Sequence, residues 1–403
     1  MTQKPEMKIL VVNCGSSSIK FQLCNMPAGE MICSGQVERI GDANAALQLK
    51  IGDDTQEVQH PIEDHESAMA DILDALTGEG GVISDAKEIN AVGHRVVHGG
   101  DEFSGSMLLT EEVIASIERF ASLAPLHNPP NLVGIRAAIR KLPDVPQVAC
   151  FDTAFHATIP EVAYTYALPI KLRDELGVRR YGFHGTSHRF VARRAAVLLD
   201  KHKHEINCIT AHLGNGCSIT AVRDGRSVDT SMGLTPLEGL VMGTRSGDFD
   251  PAILFFLADQ GYDMAALNKM CNKQSGLLGI SGESNDMRTL VEKAETGDKM
   301  AQLAIDIFCY RIKKYIGTYS AVLGRVDAIV FTGGIGENAA HVRAESCKEL
   351  ENLGIIIDPE ANARIVGRLE GEITTPESKV KVLVIPTNEE GAIAGDTYEI
   401  AKD

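Results

Sequence analysis

The sequence predicts an α/β fold composed of two homologous halves. Apolar strand patterns and amphipathic helix patterns alternate along the whole chain, which is typical of α/β proteins. At about 150 residues per domain, the length of 403 residues allows two domains. One local pattern, an apolar strand followed by a turn of small residues and a second strand, occurs once in each half. A single small module is therefore excluded.

The repeated pattern is a β-hairpin with a glycine-containing turn. In the first half, apolar residues 9–12 lead into the motif NCGSSSIK at residues 13–20. In the second half, residues 208–211 lead into HLGNG at residues 212–216, and a strand follows over residues 219–222. Backbone N–H groups with little side-chain bulk around them can wrap an anion. A tight hairpin that needs small residues only for its turn explains both motifs equally well.

Two helices are predicted from apolar residues that recur every three or four positions. Residues 67–77 follow this pattern before Gly78, and residues 300–323 follow it before Gly324. Glycine directly after a periodic stretch commonly ends a helix. We expect both helices to pack one face against a core.

The charge balance is acidic, and we expect neither a membrane span nor a leader. Asp and Glu number 55 against 39 Lys and Arg, so the net charge of −16 repels nucleic acid and anionic membranes. No stretch approaches the roughly 18 apolar residues of a membrane span, and the apolar run at residues 9–12 is too short for a signal peptide. The nine cysteines have irregular spacing and no CxxC pair, which favours reduced thiols in the cytoplasm.

A third glycine motif, GGIGEN at residues 333–338, follows a predicted strand and precedes a helix that we expect to end near Gly354. A helix N-terminus behind glycines is a common site for anions and nucleotides. The same region also fits the G-x-G-x-x-A pattern of a dinucleotide fold, with Asp358 about twenty residues further on. That alternative uses one loop and needs more strand-helix units than remain. A phosphate site uses all three glycine motifs.

The last predicted strand leads into Pro386 and the segment TNEE. Thr387 and Glu390 have the spacing of a capping box, which gives Glu390 a structural role. Glu389 is then a candidate ligand for a metal-bound water, or equally a solvated helix residue.

Basic and imidazole side chains occur within several short motifs. Arg95 and Arg245 are flanked by small or β-branched residues in predicted loops, where a guanidinium can bind carboxylate or phosphate with two hydrogen bonds. For each arginine alone, a surface salt bridge is the simpler interpretation. His184 and His188 have the spacing of a zinc pair, but no neighbouring acid or cysteine supports a metal there. The Walker A motif and the protein-kinase loops are absent.

Taken in order, these motifs resemble those of the acetate and propionate kinase family, which shares the actin-like, ribonuclease H-like fold with sugar kinases. The resemblance extends from about Lys8 to the terminal helix. It implies two duplicated actin-like domains with the active site in the cleft between them, and a homodimer. The N-terminal domain would comprise residues 1–150 plus residues 387–403 as its closing helix. The C-terminal domain would comprise residues 151–386 and contain the nucleotide site.

The resemblance implies reversible transfer of the ATP γ-phosphoryl group to acetate, giving acetyl phosphate and ADP, or to propionate or butyrate as an alternative. Asn13 and Glu389 resemble the residues that hold Mg²⁺, or Mn²⁺, largely through water. Arg95 and Arg245 resemble the pair that clamps the acyl carboxylate and the phosphoryl group.

His184 resembles the group that stabilises the transition state, with His127 in support, and Asp152 resembles the residue that orients the attacking carboxylate. Nucleotide-binding residues implied by the resemblance are Ser16, Ser18, Lys20, His212, Leu213, Gly214, Asn215, Gly216, Asp286, Met287, Arg288, Gly334, Ile335, Gly336, Glu337 and Asn338. Residues implied for the acyl pocket are Val97, Leu126, Phe183 and Pro236.

This residue chemistry suits the reaction, because two anions must be brought together while charge spreads over the phosphoryl oxygens. Two arginines, an imidazolium and Mg²⁺ can neutralise that charge without covalent chemistry by the protein. Acetate is already ionised near neutral pH, so we expect Asp152 to orient the acid rather than remove a proton. No nucleic acid or membrane partner is expected.

Overall fold

The computed structural model describes residues 5–125 and 127–402 and divides into two compact units. Unit 1 comprises Met1–Ala154 and Asn388–Asp403, and unit 2 comprises Phe155–Thr387. No helix among the described residues has the length and apolar character needed to cross a membrane.

Unit 1 is built on one sheet. Its strands are β1 (Met7–Cys14), β2 (Ser18–Met26), β3 (Glu30–Glu38), β4 (Ala46–Ile51), β5 (Asp54–Gln59), β6 (Ile89–Val96), β7 (Met107–Leu108) and β8 (Gln147–Phe151). Their order across the sheet is β5-β4-β3-β2-β1-β6-β8-β7. Strands β1, β2 and β3 pair in antiparallel fashion, whereas β6 and β8 run parallel to β1.

Helices cover both faces of this sheet. They are α1 (His65–Thr77), α2 (Glu111–Arg119), α3 (Asn128–Lys141) and the C-terminal helix, named α15 (Glu389–Ala401), with short 3₁₀ helices at Ala86–Glu88 and Phe120–Ser122. Successive side chains of a strand point to opposite faces. Leu10 and Val12 therefore pack with α1 and α3, whereas Ile9 and Val11 pack with α15. This two-sided burial explains why β1 is a nearly continuous apolar run.

Unit 2 is built on a second sheet. Its strands are β9 (Cys208–Leu213), β10 (Cys217–Arg223), β11 (Arg226–Thr230), β12 (Ala328–Thr332), β13 (Gly371–Glu372) and β14 (Lys381–Val384). Their order is β11-β10-β9-β12-β14-β13. Strands β9, β10 and β11 pair in antiparallel fashion, and β12 and β14 run parallel to β9.

The helices of unit 2 occur in three groups along the chain, before β9, between β11 and β12, and after β12. In chain order they are α4 (Glu161–Tyr164), α5 (Lys171–Leu176), α6 (Gly185–Leu198), α7 (Ala252–Asp259), α8 (Met264–Lys273), α9 (Gly276–Ser281), α10 (Met287–Glu295), α11 (Lys299–Leu323), α12 (Gly333–Asn338), α13 (Ala340–Cys347) and α14 (Pro359–Arg364), with 3₁₀ helices at Ala154–Thr158 and Glu351–Leu353. Helix α6 packs on the sheet through Val191, Ala192 and Ala195. Helix α11 contacts β9 and β10.

The two sheets have the same arrangement of their five central strands. The order β3-β2-β1-β6-β8 in unit 1 matches β11-β10-β9-β12-β14 in unit 2, strand for strand and direction for direction. Both predicted hairpins form, with Cys14 paired to Ile19 and Leu213 paired to Cys217 next to their turns. The predicted α/β fold of two duplicated halves is confirmed.

Some local predictions need correction. The third glycine motif is itself a short helix, α12, rather than a loop, and the helix predicted after it is α13, which ends at Cys347 instead of near Gly354. Residues 355–357, which the sequence predicts as a strand, contribute only an isolated bridge between Ile357 and Thr374. The capping box is wrong, because Asn388 is the N-cap of α15 and accepts from the Gly391 N–H. The two periodic helices are present with slightly earlier starts, after the N-caps Asp64 and Asp298.

Candidate functional site

Arg95 and Asp152 form a bidentate ion pair in unit 1. Arg95 lies in strand β6, not in a loop as predicted, and Asp152 directly follows the neighbouring parallel strand β8. Arg95 Nε donates to Asp152 Oδ1 at 3.0 Å, and Nη2 donates to Oδ2 at 2.7 Å. The Asp152 side chain is 1% exposed and that of Arg95 is 24% exposed. The adjacent Asp152 charge raises the pKa of Arg95, so the guanidinium stays charged.

Glu389 is the first residue of α15 and lies close to this pair. Within the part of the chain that the structure describes, Glu389 Oε2 is buried without a hydrogen-bond partner. Burial raises the pKa of Glu389 to about 7, with Asp152 and Glu390 adding to the rise, and Arg95 and Lys20 opposing it. Arg95, Asp152, Glu389 and Glu390 are together called the carboxylate cluster. A half-buried acid whose buried oxygen atom has no partner fits a site that binds a cation.

The first glycine turn lies near this cluster, since the charge of Lys20, which pairs with Asn13 across the hairpin, acts to lower the pKa of Glu389. The Gly15 N–H donates to the Ser18 carbonyl oxygen at 2.8 Å. Gly15 does not adopt a positive φ, which removes the backbone explanation for this glycine. Ser16 and Lys20 are exposed, and Asn13 and Ser18 are half-buried. Polar side chains of this turn are therefore accessible to solvent and to a bound molecule.

Two asparagines that the sequence interpretation missed hold this region together. Asn131 accepts from the Val97 N–H at 3.1 Å and donates to the Cys14 carbonyl oxygen at 2.8 Å. Asn128 accepts from the His98 N–H at 3.1 Å and donates to the His98 carbonyl oxygen at 2.9 Å. Both are buried at the start of α3. Polar residues directly next to the two prolines of a helix start were the available signal.

Unit 2 contains four neighbouring imidazoles, named here the imidazole cluster: His156, His184, His188 and His212. His184 and His212 stack with ring centroids 4.3 Å apart, and His156 meets His188 edge-on at 5.7 Å. His184 adopts a φ of 57°, a left-handed conformation that costs energy for a residue other than glycine. Backbone strain of this kind is concentrated at functional sites.

Arg245 faces the second glycine turn together with His184. Arg245 Nη1 donates to the Pro236 carbonyl oxygen at 2.8 Å, and burial lowers the pKa of Arg245. A Cβ atom added to Gly216 would lie 3.5 Å from Arg245 Nη1 and 3.5 Å from His184 Nε2. The guanidinium, the imidazole and the turn therefore converge on one point, which suits an anion.

A cavity of about 1000 Å³ opens beside the second turn, within unit 2. It is lined by predicted nucleotide residues, namely Gly214, Asn215, Asp286, Met287, Arg288, Gly334, Ile335 and Asn338, and also by Asn285, Val291, Glu292 and His341, which were not predicted. Cofactor pockets are commonly 300 to 1,000 Å³. Asn285 donates to Asn215 Oδ1 at 3.0 Å and so joins two walls of the cavity.

At two glycines that line this cavity, neither the backbone conformation nor the packing of the protein requires glycine. Neither Gly214 nor Gly334 adopts a positive φ. A Cβ atom at Gly334 would meet nothing within 4 Å, and at Gly214 its nearest contact would be an ordinary 3.4 Å. The missing side chains therefore leave space for a molecule outside the chain.

The other predicted residues have more varied surroundings. Leu213 and Gly336 are buried and do not line the cavity. Glu337 accepts from the Gly333 N–H at 2.9 Å and from the Thr387 N–H at 3.2 Å. His127 is the half-buried N-cap of α3.

The residues predicted for the acyl pocket are divided between the units. Val97 is buried in unit 1, whereas Phe183 is buried and Pro236 half-buried in unit 2. Leu126 lies outside the described residues.

Zinc at His184 and His188 is not supported by the geometry. His188 uses its two ring nitrogens on the hydroxyls of Thr210 and Ser218, each at 2.7 Å. Among the described residues there is no group of three or more His, Cys, Asp or Glu side chains arranged to hold a metal ion. A divalent cation at Glu389 would therefore need water or substrate oxygens as further ligands.

Comparison with known proteins defines the class of this protein, which is a phosphotransferase. Residues 8–395 match the model of the acetokinase family. The chain therefore belongs to the acetokinase family.

Individual relatives agree with this assignment. The chain is 53% identical to the acetate kinase of Thermotoga maritima over 399 residues, which covers 98% of this chain and 99% of that protein. It is 51% identical to the acetate kinase of Carboxydothermus hydrogenoformans over 397 residues, covering 98% and 99%.

Solved structures are similar as well. The crystal structure of Porphyromonas gingivalis acetate kinase superposes with a TM-score of 0.94 at 47% identity and covers 98% of this chain and 99% of that one. A propionate kinase from Francisella tularensis superposes with a TM-score of 0.91 at 44% identity, covering 98% and 100%.

Proposed function

We propose that this chain catalyses reversible, direct transfer of the γ-phosphoryl group of ATP to acetate, giving acetyl phosphate and ADP. The observation that carries the proposal is the glycine-walled cavity, where Gly214 and Gly334 leave space that neither backbone nor packing requires. Its size suits a nucleotide. The neighbouring point between Arg245 and His184 suits the phosphoryl group.

The acid substrate is assigned to the region of Arg95. Asp152 occupies two donors of Arg95 and holds its plane fixed, while Arg95 remains charged. A fixed guanidinium can bind a carboxylate without reorganising during the reaction. Since both oxygens of Asp152 are bonded to Arg95, we assign Asp152 an orienting role rather than that of a base.

Mg²⁺, or Mn²⁺, is proposed at Glu389 and Asn13. The buried and unpartnered Oε2 of Glu389 supports this assignment, because an ionised carboxylate there needs a compensating charge. When bound, the cation would neutralise phosphate charge. The protein supplies a carboxylate and an amide oxygen for it, and Lys20 adds a positive charge nearby.

Acetate is proposed as the preferred acid, with propionate or butyrate as the alternative. Val97 is buried at the position where a smaller residue would admit a longer chain, and one methylene is worth about 1 to 3 kcal/mol of discrimination. The similar Francisella tularensis propionate kinase keeps the alternative open.

The test is to trap acyl phosphate with hydroxylamine in the presence of ATP and Mg²⁺. Acetate, propionate, butyrate and a sugar serve as acceptors. We expect acyl hydroxamate with the highest kcat/KM for acetate. A higher value for propionate would reverse the preference, and no product from any short acid would refute the function.

A homodimer in the cytoplasm is also proposed. Helix α7 has no buried residue, and Phe255 and Phe256 are 72% and 62% exposed, which suits a face covered by a second copy. All nine cysteines are free thiols, which suits a reducing compartment. Light scattering should report a dimer, and Phe255→Asp should shift it towards monomer. A monomer at micromolar concentration would contradict the dimer.

A further inference from the structure

Four buried or half-buried side chains of unit 2 form a continuous series of hydrogen-bond contacts. Thr210 Oγ1 lies 2.7 Å from His188 Nδ1, and His188 Nε2 lies 2.7 Å from Ser218 Oγ. Ser218 Oγ lies 2.8 Å from His184 Nδ1. Thr210, His188 and Ser218 are each 0% exposed, so water does not share these contacts. The series ends at the imidazole that the proposed function places at the phosphoryl group.

His188 is held in its neutral form. Burial, together with the neighbouring His156 and His212, keeps the pKa of His188 well below its usual range. A neutral imidazole has one N–H and one bare nitrogen. Because both ring nitrogens face hydroxyls, one of them donates and the other accepts.

Ser218 links the protonation of the two rings. A hydroxyl has a single proton, so Ser218 Oγ can donate to only one of the two nitrogens that face it and must accept from the other. If His188 Nε2–H donates to Ser218, then Ser218 donates to His184 Nδ1. The proton of a neutral His184 is then on Nε2, the nitrogen next to Gly216 and Arg245.

We propose that Thr210, His188 and Ser218 are positioning residues that hold the neutral His184 as its Nε2–H tautomer. In this arrangement Thr210 donates to His188 Nδ1, His188 Nε2–H donates to Ser218, and Ser218 donates to His184 Nδ1. Every donor of the series then points towards the second glycine turn. His184 can donate a hydrogen bond to developing phosphoryl charge without first becoming an imidazolium. This inference rests on the proposed function, because it deepens the role of His184.

The tautomer can be measured independently of activity. The full chain is labelled with ¹⁵N-histidine, and the His184 resonances are assigned from their loss in His184→Asn. At a pH where His184 is neutral, we expect protonated Nε2 and bare Nδ1. In Ser218→Ala the two tautomers should mix. An Nδ1–H tautomer in the unsubstituted chain would overturn the proposal.

Kinetics provide the second measurement. Hydrogen bonds that orient metal-ligating histidines are typically worth about 10 to 100-fold in activity. By analogy, we expect Ser218→Ala to lower kcat by a factor in that range. KM for ATP and for acetate should stay within about twofold, and Ser218→Thr, which keeps the hydroxyl, should regain activity. Unchanged kcat in Ser218→Ala, or a loss confined to KM, would overturn the proposal.

Two matched variants separate the series from packing. Ser227→Ala removes a buried serine that lies 2.9 Å from His156 Nδ1, outside the series. Thr210→Val breaks the far end of the series, whereas Thr220→Val removes a buried hydroxyl paired with Thr230 at 2.8 Å. We expect lower kcat in Thr210→Val and normal kcat in both controls. Equal losses in the controls would assign the effect to packing and reject the proposal.

Failure of this inference and failure of the proposed function give different results. If the unsubstituted chain forms no acyl phosphate, the function is refuted, whatever the ¹⁵N spectrum shows. If it forms acyl phosphate but His184 is the Nδ1–H tautomer, only the positioning series is refuted.

Discussion

The two units use the same five-stranded core but place opposite chemistry on it. In unit 1 the carboxylate cluster lies at the carboxyl ends of β6 and β8, with acids around one arginine. In unit 2 the imidazole cluster lies beside the end of β9, with Arg245 and hydroxyl groups as neighbours. Carboxyl edges of parallel strands are the usual location of sites in α/β proteins. The duplicated fold therefore fixes where a site forms, and the side chains decide what it binds.

The hairpin turns of the two units also differ, both in length and in residue composition. The turn between the paired residues Cys14 and Ile19 is one residue longer than the turn between Leu213 and Cys217. The first has serines and a nearby lysine, and the second is glycine and asparagine next to a large cavity. We infer that the first turn serves phosphate and metal, and the second serves the nucleotide.

The largest expected effect comes from the two arginines. Removing one preorganised charge donor typically costs about 10² to 10³ in turnover, so Arg95→Ala and Arg245→Ala should each lose that much kcat. Their stabilities should differ. Arg95→Ala leaves the buried Asp152 unpaired, which costs about 3 to 5 kcal/mol, whereas Arg245 donates to a carbonyl group, and its loss should cost about 1 kcal/mol.

Urea unfolding and steady-state kinetics on both variants check this prediction. Near-normal turnover in either variant would remove that arginine from the site. If Arg95→Ala and Arg245→Ala lose the same stability, the proposed difference between a buried ion pair in unit 1 and a hydrogen bond to a carbonyl group in unit 2 is wrong.

Glu389→Gln should lower turnover less than the arginine variants do. It should raise the stability of the metal-free protein, whereas the arginine variants should be less stable. Loss of a group that holds a metal through water should reduce Mg²⁺-dependent activity by about 10 to 100-fold. The folded pKa of about 7 lies above the ordinary value of 4.5. The metal-free folded state therefore loses stability as pH rises from about 4.5 to 7, by at most about 3 kcal/mol.

Since glutamine stays neutral, the metal-free variant should gain stability relative to the natural chain between pH 5 and pH 8. Glu390→Gln is the matched control and should retain Mg²⁺ activation. Thermal unfolding with and without Mg²⁺ at both pH values provides the comparison. If metal-free Glu389→Gln is less stable than the natural chain at pH 8, the assignment of Glu389 Oε2 as buried and unpaired is wrong.

The smallest expected effect is the solvent isotope effect on the chemical step, which tests the role of Asp152. If Asp152 orients Arg95 and the acid without moving a proton, the solvent isotope effect on the chemical step should be close to one. Single-turnover kinetics in H₂O and D₂O measure it. A large effect that disappears in Asp152→Asn would make Asp152 a base.

The sequence was sufficient for features that depend on local pattern. Both hairpins and the two periodic helices follow from the spacing of apolar residues, which reflects burial on one face or both. The motif resemblance supplied the candidate residues. Gly214 and Asn215 of the second glycine motif and Gly334, Ile335 and Asn338 of the third line one cavity in the structure.

Features that depend on contacts between distant residues were not predictable. The capping box failed because Thr387 is bonded instead to Ser187, at 2.8 Å, and to Glu337. The Asn131 bridge joins residues 117 positions apart, and the series behind His184 joins α6 to two strands. No spacing rule in a single sequence reports such contacts.

The central claim is that the phosphoryl group passes directly from ATP to the acid between preorganised positive groups, with no covalent intermediate on the protein. The most direct test uses ATP made chiral at the γ-phosphorus with oxygen isotopes and determines the configuration of the acyl phosphate. A single in-line transfer predicts inversion. Retention would require two transfers through a phosphorylated side chain and would contradict the account.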